Sequence, residues 1–345
     1  MNLKKSVIAA AVGATLALGA SGQASAYVYG AAGLSISNLT ISIVPNGGAV
    51  DITRFDFNQS NVATLNGNTA VSAATCGGTP AANNCTQTIG RLDAAAVNAP
   101  GSTTIRPNNS TTGGDFTFFG PVVAFTGDFA NADSQILNAQ LVNGVPTQTK
   151  NIAESLLNTG TEASGTSQIQ SITGFAISFT VGGGPATFNL NFDADPDLAA
   201  MIFGESPGTF SAQANLSTSF TLRQNTGGLG FANFAPTGPA ATDCVFRGFT
   251  SCTEFDSQSL NINVGTTTNN TSDLFSFDPN ALNLTPFSLQ VTGLTAGTYT
   301  LTLAEFKSNQ LARTPAAVVP EPGVLALMGI GLMGLFATSR RRKLS

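Results

Sequence analysis

Three aspartates at alternate positions are the residues of this chain that best fit a chemical role. Asp193, Asp195 and Asp197 follow a run of alternating apolar and polar residues, Phe188–Phe192, which predicts a β-strand. Every second side chain of an extended segment lies on the same side, so the three carboxylates are expected to share one face. Carboxylate oxygens are preferred ligands of Ca²⁺, and the pattern therefore indicates a candidate calcium site.

The spacing of this acidic segment also departs from known calcium loops. An EF-hand loop needs glycine at its sixth position, where this chain has Leu198, and Glu205 falls one place too late for the last ligand. The alternative is a solvated turn in which Asp195 caps a short helix that begins at Pro196. The sequence leaves both readings open.

Histidine is absent from the whole chain. Its absence excludes the Ser-His-Asp and Cys-His catalytic arrangements, and with them the commonest general base near neutral pH. No glycine-rich segment fits a phosphate-binding loop, because Gly182-Gly183-Gly184 is followed by Pro185 and reads as a turn. We therefore expect no enzymatic activity, no catalytic residues and no cofactor apart from the candidate calcium ion.

The four cysteines fall into two local pairs, Cys76 with Cys85 and Cys244 with Cys252. An even number of cysteines in an exported chain predicts disulfides. Four cysteines allow three connectivities, and closeness in sequence is the reason for preferring the local pairing. A zinc site is disfavoured because the spacings are too long for a Cys-x-x-Cys motif and no histidine is present.

The elements that must position these residues are predicted to be β-strands. Strict alternation of apolar and polar residues recurs in Phe175–Val181, Phe188–Phe192, Phe210–Leu222, Leu260–Val264 and Tyr299–Leu303. We expect an all-β fold, an antiparallel β-sandwich of jelly-roll type with long loops. The glycine-rich turn at 182–185 predicts a hairpin between the first two of these strands. Slips in the alternation at 36–39 and 52–55 predict β-bulges.

Four segments are predicted not to form strands. Ile152–Leu157 and Pro196–Phe203 are predicted to be short helices. Asn58–Ser110, dense in Asn, Thr, Gly and Ala, is predicted to be a long loop insertion. Residues 308–319 are predicted to form a linker after an exported domain at 27–307.

The N-terminal residues 1–26 have the layout of a secretory signal peptide. Lys4 and Lys5 precede the apolar stretch Val7–Ala20, and Ala24-Ser25-Ala26 provides the small residues of a cleavage site. Cleavage is predicted between Ala26 and Tyr27. The remainder of the chain is then expected to cross the inner membrane through the general export machinery.

Residues 320–345 combine three features in a fixed order. Pro320, Glu321 and Pro322 come first, and an apolar run at 323–338 follows that is predicted to be a short transmembrane helix of about 24 Å. Four cations end the segment and should stay on the cytoplasmic side of the membrane: Arg340, Arg341, Arg342 and Lys343. This layout resembles the PEP-CTERM sorting signal of Gram-negative bacteria.

The resemblance implies a route and a processing partner. In that family the membrane enzyme exosortase recognises the signal and cuts near the Pro-Glu-Pro motif. Such proteins commonly end at the cell surface or in the extracellular matrix, in association with exopolysaccharide, biofilm or floc formation. The resemblance implies the same location for this chain after C-terminal processing, and exopolysaccharide as a candidate partner.

The exported body is acidic and sparsely charged. Between Tyr27 and Val319 the chain has eight basic and 18 acidic residues, a balance of −10. Nucleic acid is not an expected partner, because its recognition needs a basic surface. Two functions remain: a structural surface or matrix protein, and a Ca²⁺-dependent adhesin or polysaccharide-binding module that uses Asp193, Asp195 and Asp197.

Overall fold

The computed structural model describes most of the exported body and neither end of the chain. It covers residues 27–44, 51–80, 82–83, 91–98, 118, 128–136, 141–142, 145–157, 165–183, 185–204, 208–239, 242–278 and 281–315. The signal-peptide residues 1–26 and the sorting-signal residues 320–345 lie outside these ranges. No helix in the described ranges is long and apolar enough to span a membrane, and the predicted helix at 323–338 lies beyond them.

The strands in the described ranges are numbered in chain order, and most of them form two large sheets. In spatial order the first sheet contains β15 (Ser251–Asp256), β18 (Thr285–Leu294), β11 (Ala186–Phe203), β1 (Tyr27–Val44), β9 (Thr149–Leu157), β6 (Phe129–Gln135) and β5 (Arg91–Asn98), with β17 (Thr271–Phe275) also paired to β11. The second contains β14 (Cys244–Arg247), β13 (Phe231–Phe234), β12 (Gly208–Gln224), β19 (Gly297–Pro315), β10 (Gly165–Val181), β2 (Ile52–Leu65), β3 (Asn68–Thr79) and β4 (Ala82–Asn83), with β16 (Ile262–Thr266) on β12. A separate small ribbon joins β7 (Leu141–Val142) and β8 (Val145–Pro146).

The two sheets pack face to face around one apolar core, and their strand pairs are antiparallel. Alternation explains the layers, because each strand directs every second side chain into the space between the sheets. On β12 the inward residues include Phe210, Leu216 and Phe220, whereas Gln213 and Ser217 are exposed. The structure confirms the predicted all-β, antiparallel fold, and the finer jelly-roll connectivity stays a prediction.

The predicted hairpin through residues 182–185 is wrong. β10 pairs with β2 and β19 in the second sheet, whereas β11 pairs with β1 and β18 in the first. The connection therefore passes from one sheet to the other. The physical reason is that both strands have an apolar inner face, and stacking the two faces buries both: the rings of Phe179 and Phe188 lie 5.8 Å apart between the sheets.

Both predicted helices are strands. Pro196–Phe203 belongs to β11 and Ile152–Leu157 belongs to β9, and each of these strands pairs with β1. Each strand is hydrogen-bonded to neighbours along both of its edges, and this pairing outweighs the local helix signal. Pro196 is tolerated because it lies between the β18 pairing, which ends at Ala194, and the β17 pairing, which begins at Ala199.

Two further boundaries differ from the predictions. Asn58–Ser110 is not a plain loop insertion, since it contains most of β2 and all of β3, β4 and β5. The predicted linker at 308–319 begins too early, because β19 continues to Pro315 with Asn309, Leu311 and Arg313 buried. Polar inward residues hid this strand from a search for apolar alternation.

The predicted β-bulges are present. The pairing of β1 with β11 shifts register between Ser37 and Thr40, where Asn38 has a φ of 55°. The pairing of β2 with β10 shifts register between Ser178, which pairs with Arg54, and Phe179, which pairs with Ile52. Each bulge lets the apolar residues on both sides of the slip face the same core.

A second, smaller apolar cluster covers the outer face of the first sheet. Its buried members lie on β1, β6, β9 and β11: Tyr29, Ala31, Phe129, Leu156, Ala199 and Met201. Phe118 and Phe277 pack over it, and their rings are 5.2 Å apart. A Cβ atom at position 33 would lie 2.5 Å from the ring of Phe118. Gly33 has no Cβ and therefore permits this close approach. This part of the outer face, on β1, β6, β9 and β11, is thus buried.

Candidate functional site

The three aspartates lie on one face of β11, as the alternation predicted. They occupy the outer side of the first sheet, while Phe192, Ala194 and Leu198 point into the core between them. The sequence thus identified the shared face correctly, although it missed that the aspartates lie within one continuous strand.

The connection between β17 and β18 (residues 276–284) buries two of the three carboxylates. The backbone N–H of Asp278 donates to Oδ1 of Asp197 at 2.9 Å, and that of Asn283 donates to Oδ2 of Asp195 at 2.8 Å. Asp195 is 2% exposed and Asp197 is 9% exposed. Asp193 is half-buried and accepts a hydrogen bond of 2.7 Å from Nδ2 of Asn38. Asp195 and Asp197 therefore hold a covering segment against β11, whereas Asp193 bonds to Asn38 on the neighbouring strand β1.

Burial changes the acid-base behaviour of this face. Desolvation is the main cause that raises the pKa of Asp197 to about 7; the backbone hydrogen bond from Asp278 opposes the shift, and the nearby Asp195 and Asp278 charges add to it. Desolvation also raises the pKa of Asp195, whose Oδ1 is buried without a hydrogen-bond partner. The native protein therefore holds a proton on this face at pH values where an unfolded chain would have lost it.

We expect Asp197→Asn to remove a pH dependence of stability. Because the pKa of Asp197 is raised from 3.8 to about 7, stability of the native state falls as pH rises through this window and is lower above it. The unfolding free energy of the variant should change less between about pH 4 and 7 than that of wild type. At pH 8 the variant should be more stable than wild type by on the order of 2–4 kcal/mol. Urea unfolding at pH 5 and pH 8 measures this difference.

The matched control for this prediction is Asn191→Ser, an exposed position on the same face of β11. It should keep the wild-type pH dependence. An Asp197→Asn variant whose unfolding free energy keeps the wild-type slope with pH would show that the buried carboxylate does not carry the effect.

The described residues of this face do not form a cluster of carboxylates that could coordinate Ca²⁺. Among the described residues, which include all three aspartates, no three His, Cys, Asp or Glu side chains gather in a way that could hold a metal ion. Asp195 and Asp197 each direct an oxygen at a backbone N–H, which is a hydrogen-bond donor and cannot coordinate a cation. Calcium binding stays a prediction of the sequence pattern, and calorimetry of the protein with Ca²⁺ would test it.

One of the two predicted disulfides is present in the described residues. Cys244 on β14 is bonded to Cys252 on β15, with the Cα atoms 6.1 Å apart. Because β14 belongs to the second sheet and β15 to the first, this bond ties the two layers together at one edge. Cys76 is buried on β3, and Cys85, its predicted partner, lies outside the described residues.

The predicted processing residues flank the described body. β1 begins at Tyr27, the residue that cleavage after Ala26 would leave first, and the ring of Tyr27 lies 5.3 Å from that of Phe203. Pro320, Glu321 and Pro322 and the cationic residues 340–343 lie outside the described residues, as Ala26 does. The last described residue, Pro315, pairs with Gly208 at the end of β19.

Sequence reasoning missed a polar cluster between the sheets. Glu305 and Lys307 are fully buried on β19 and form an ion pair of 2.6 Å. A usable signal was present, because Tyr299, Leu301, Leu303, Glu305, Lys307, Asn309 and Leu311 keep one unbroken alternation. Apolar residues at both ends of that series place the polar ones inside.

Comparison with known proteins bears on the C-terminal end of the chain. A family model described as the PEP-CTERM protein-sorting motif matches residues 318–342. The match includes Pro320, Glu321 and Pro322, the apolar run and three of the four terminal cations. Neither the curated proteins nor the solved structures gave a match. The chain therefore carries a PEP-CTERM sorting signal at residues 318–342, which implies exosortase-dependent sorting to the cell surface.

Proposed function

We propose that this chain is a structural protein of the cell surface or extracellular matrix, with no catalytic activity of its own. The observation that carries the proposal is the match of residues 318–342 to the PEP-CTERM motif, which implies exosortase as the processing partner. In this proposal the signal peptide starts export, the C-terminal helix holds the precursor in the membrane, and cleavage near Pro320-Glu321-Pro322 frees the sandwich.

The surface of the sandwich supports contact with exopolysaccharide. The outer face of β12 and β19 carries short or amide side chains that are at least partly exposed, among them Gln213, Ser217, Thr302 and Gln310. Several already pair with neighbours, as Gln213 does with Asn263 at 3.2 Å. A face rich in hydrogen-bonding groups, with Arg223 as an exposed charge near the end of β12, suits a neutral polysaccharide better than an ionic partner.

Fractionation of the producing cells tests this role. We expect the mature protein in the matrix fraction together with polysaccharide, and we expect a strain without it to form less cohesive aggregates. Complementation with the intact chain should restore cohesion. Recovery of the mature protein from the culture medium alone, with unchanged cohesion in the deletion strain, would count against a structural role while leaving the sorting route intact.

A further inference from the structure

The interior of the sandwich changes character along β19. Tyr299, Leu301 and Leu303 face the apolar core, and the next two inward residues are Glu305 and Lys307. Both have side chains that are 0% exposed. Burying a lysine and a glutamate away from water is costly unless each finds partners, so this pair needs a structural or chemical explanation.

Three polar side chains surround the pair, and all of them are buried. Thr149 and Asn151 lie on β9 of the first sheet, and Thr173 lies on β10 beside β19 in the second. The cluster therefore spans the gap between the two layers. Three strands hold the five side chains: β19 carries Glu305 and Lys307, β9 carries Thr149 and Asn151, and β10 carries Thr173.

The hydrogen bonds connect these five side chains into one group. Oε2 of Glu305 accepts from Nζ of Lys307 at 2.6 Å and also accepts from Nδ2 of Asn151. The hydroxyl of Thr149 donates to Oε1 of Glu305 at 3.1 Å, and that of Thr173 donates to Oδ1 of Asn151. One carboxylate oxygen thus contacts both the amine and the amide nitrogen, which places Lys307 beside the carboxamide of Asn151.

Each contact has a role in acyl transfer to an amine. Burial lowers the pKa of Lys307, although the adjacent carboxylate opposes the shift, and the neutral amine is a nucleophile. A hydroxyl donating to the amide oxygen stabilises the negative charge that develops there when the carbon is attacked. A carboxyl group that touches both nitrogens can take a proton from one and deliver it to the other.

We propose that Lys307 and Asn151 form an intramolecular amide bond that joins β19 to β9. The lone pair of Nζ attacks Cγ of Asn151, and the tetrahedral oxyanion is held by the Thr173 hydroxyl. Glu305 accepts the proton lost by the amine and passes it to Nδ2. The Cγ–Nδ2 bond then breaks, ammonia leaves and the Cγ–Nζ bond remains. No oxidant, metal or other reactant is needed.

The neighbouring amide of Asn309 is held away from this reaction. Its Oδ1 accepts from the hydroxyl of Ser155 at 2.6 Å, and its Nδ2 donates to the backbone oxygen of Gly30 at 3.2 Å. Both ends of this amide are thus engaged by groups other than Glu305, the carboxyl that contacts Lys307 and Asn151. The proposal therefore commits to one acceptor, Asn151.

The amide bond would be a second covalent link between the two sheets, in addition to the disulfide. Cys244 and Cys252 join the sheets through β14 and β15, whereas the amide would join them through β9 and β19. An amide does not respond to reductants, so this link would persist where the disulfide is reduced. A chain that works outside the cell gains a fixed sandwich from such a link.

Mass spectrometry of the protein purified from its host tests the proposal. We expect the reduced chain to weigh about 17 Da less than its trimmed sequence, the mass of one ammonia. Digestion should give a branched peptide in which Lys307 is linked to Asn151. Linear peptides with an unmodified Asn151 and a free Lys307 amine would overturn the proposal, as would a link from Lys307 to another residue.

Variants separate the reaction from folding. Lys307→Met and Glu305→Gln should restore the lost mass and yield only linear peptides. Lys150→Met removes the half-buried lysine next to Asn151 on the opposite face of β9, and it should keep the mass loss. If a core variant fails to fold, the wild-type peptide map still decides the question. A mass loss that persists in Lys307→Met would contradict the proposed nucleophile.

Discussion

Replacing Pro320, Glu321 and Pro322 with alanine is expected to leave nearly all of the chain as a full-length precursor in the membrane fraction. The family model places these residues at the start of the sorting motif, directly before the apolar run. The substitution alters the motif itself and leaves the rest of the sorting signal in place. The apolar run and the cationic end remain in the variant, so we expect it still to be held at the membrane.

Immunoblotting of membrane, surface and medium fractions measures this outcome. The matched control is Thr267→Ala with Thr268→Ala, two exposed positions in the connection between β16 and β17, and it should mature as wild type does. A second control removes the cations Arg340–Lys343, which should impair retention rather than recognition. Normal maturation of the Pro-Glu-Pro variant would show that the motif is not needed for processing.

Replacing Phe220 with alanine is expected to give the largest loss of stability among single core changes. Phe220 is fully buried on β12, its ring lies 4.8 Å from that of Phe192 across the sheets and 6.3 Å from that of Phe234. Truncating such a side chain removes apolar contacts and leaves a cavity, which typically costs about 3–5 kcal/mol. Urea unfolding followed by intrinsic tyrosine fluorescence or circular dichroism measures the change.

Phe255→Ala provides the comparison, because Phe255 is 53% exposed on β15, an edge strand. It should cost less than about 1 kcal/mol. Equal losses in the two variants would mean that the Phe192–Phe220–Phe234 contact is not part of the cooperative core. The slope of unfolding against urea should stay the same in both if the native state keeps its extent of burial.

Local patterns predicted the strands well where their inward residues are apolar. β12 and the first half of β19 follow strict alternation, and their boundaries could be read from Phe210, Leu222 and Tyr299. Alternation states which face of a strand is buried and nothing about which strand lies beside it. The sheet change between β10 and β11 is a long-range choice, so a hairpin was the wrong local guess.

The carboxylate face shows the same division between local and distant information. The shared side of Asp193, Asp195 and Asp197 followed from their spacing. Their cover did not, because the donors are backbone N–H groups of Asp278 and Asn283, more than 80 residues away. Every residue except proline has a backbone N–H, so residue types do not reveal which of them will donate to these carboxylates. The cluster of Glu305, Lys307 and Asn151 was missed for a related reason, since charged residues on a strand predict an exposed face.

The C-terminal peptide of the protein recovered from the surface of its host is the most direct test of the whole account. We predict a chain that ends near Pro320-Glu321-Pro322, with the body through Pro315 intact and no peptide from the apolar run or the arginine cluster. Recovery of the surface protein with Ser345 still in place would contradict it.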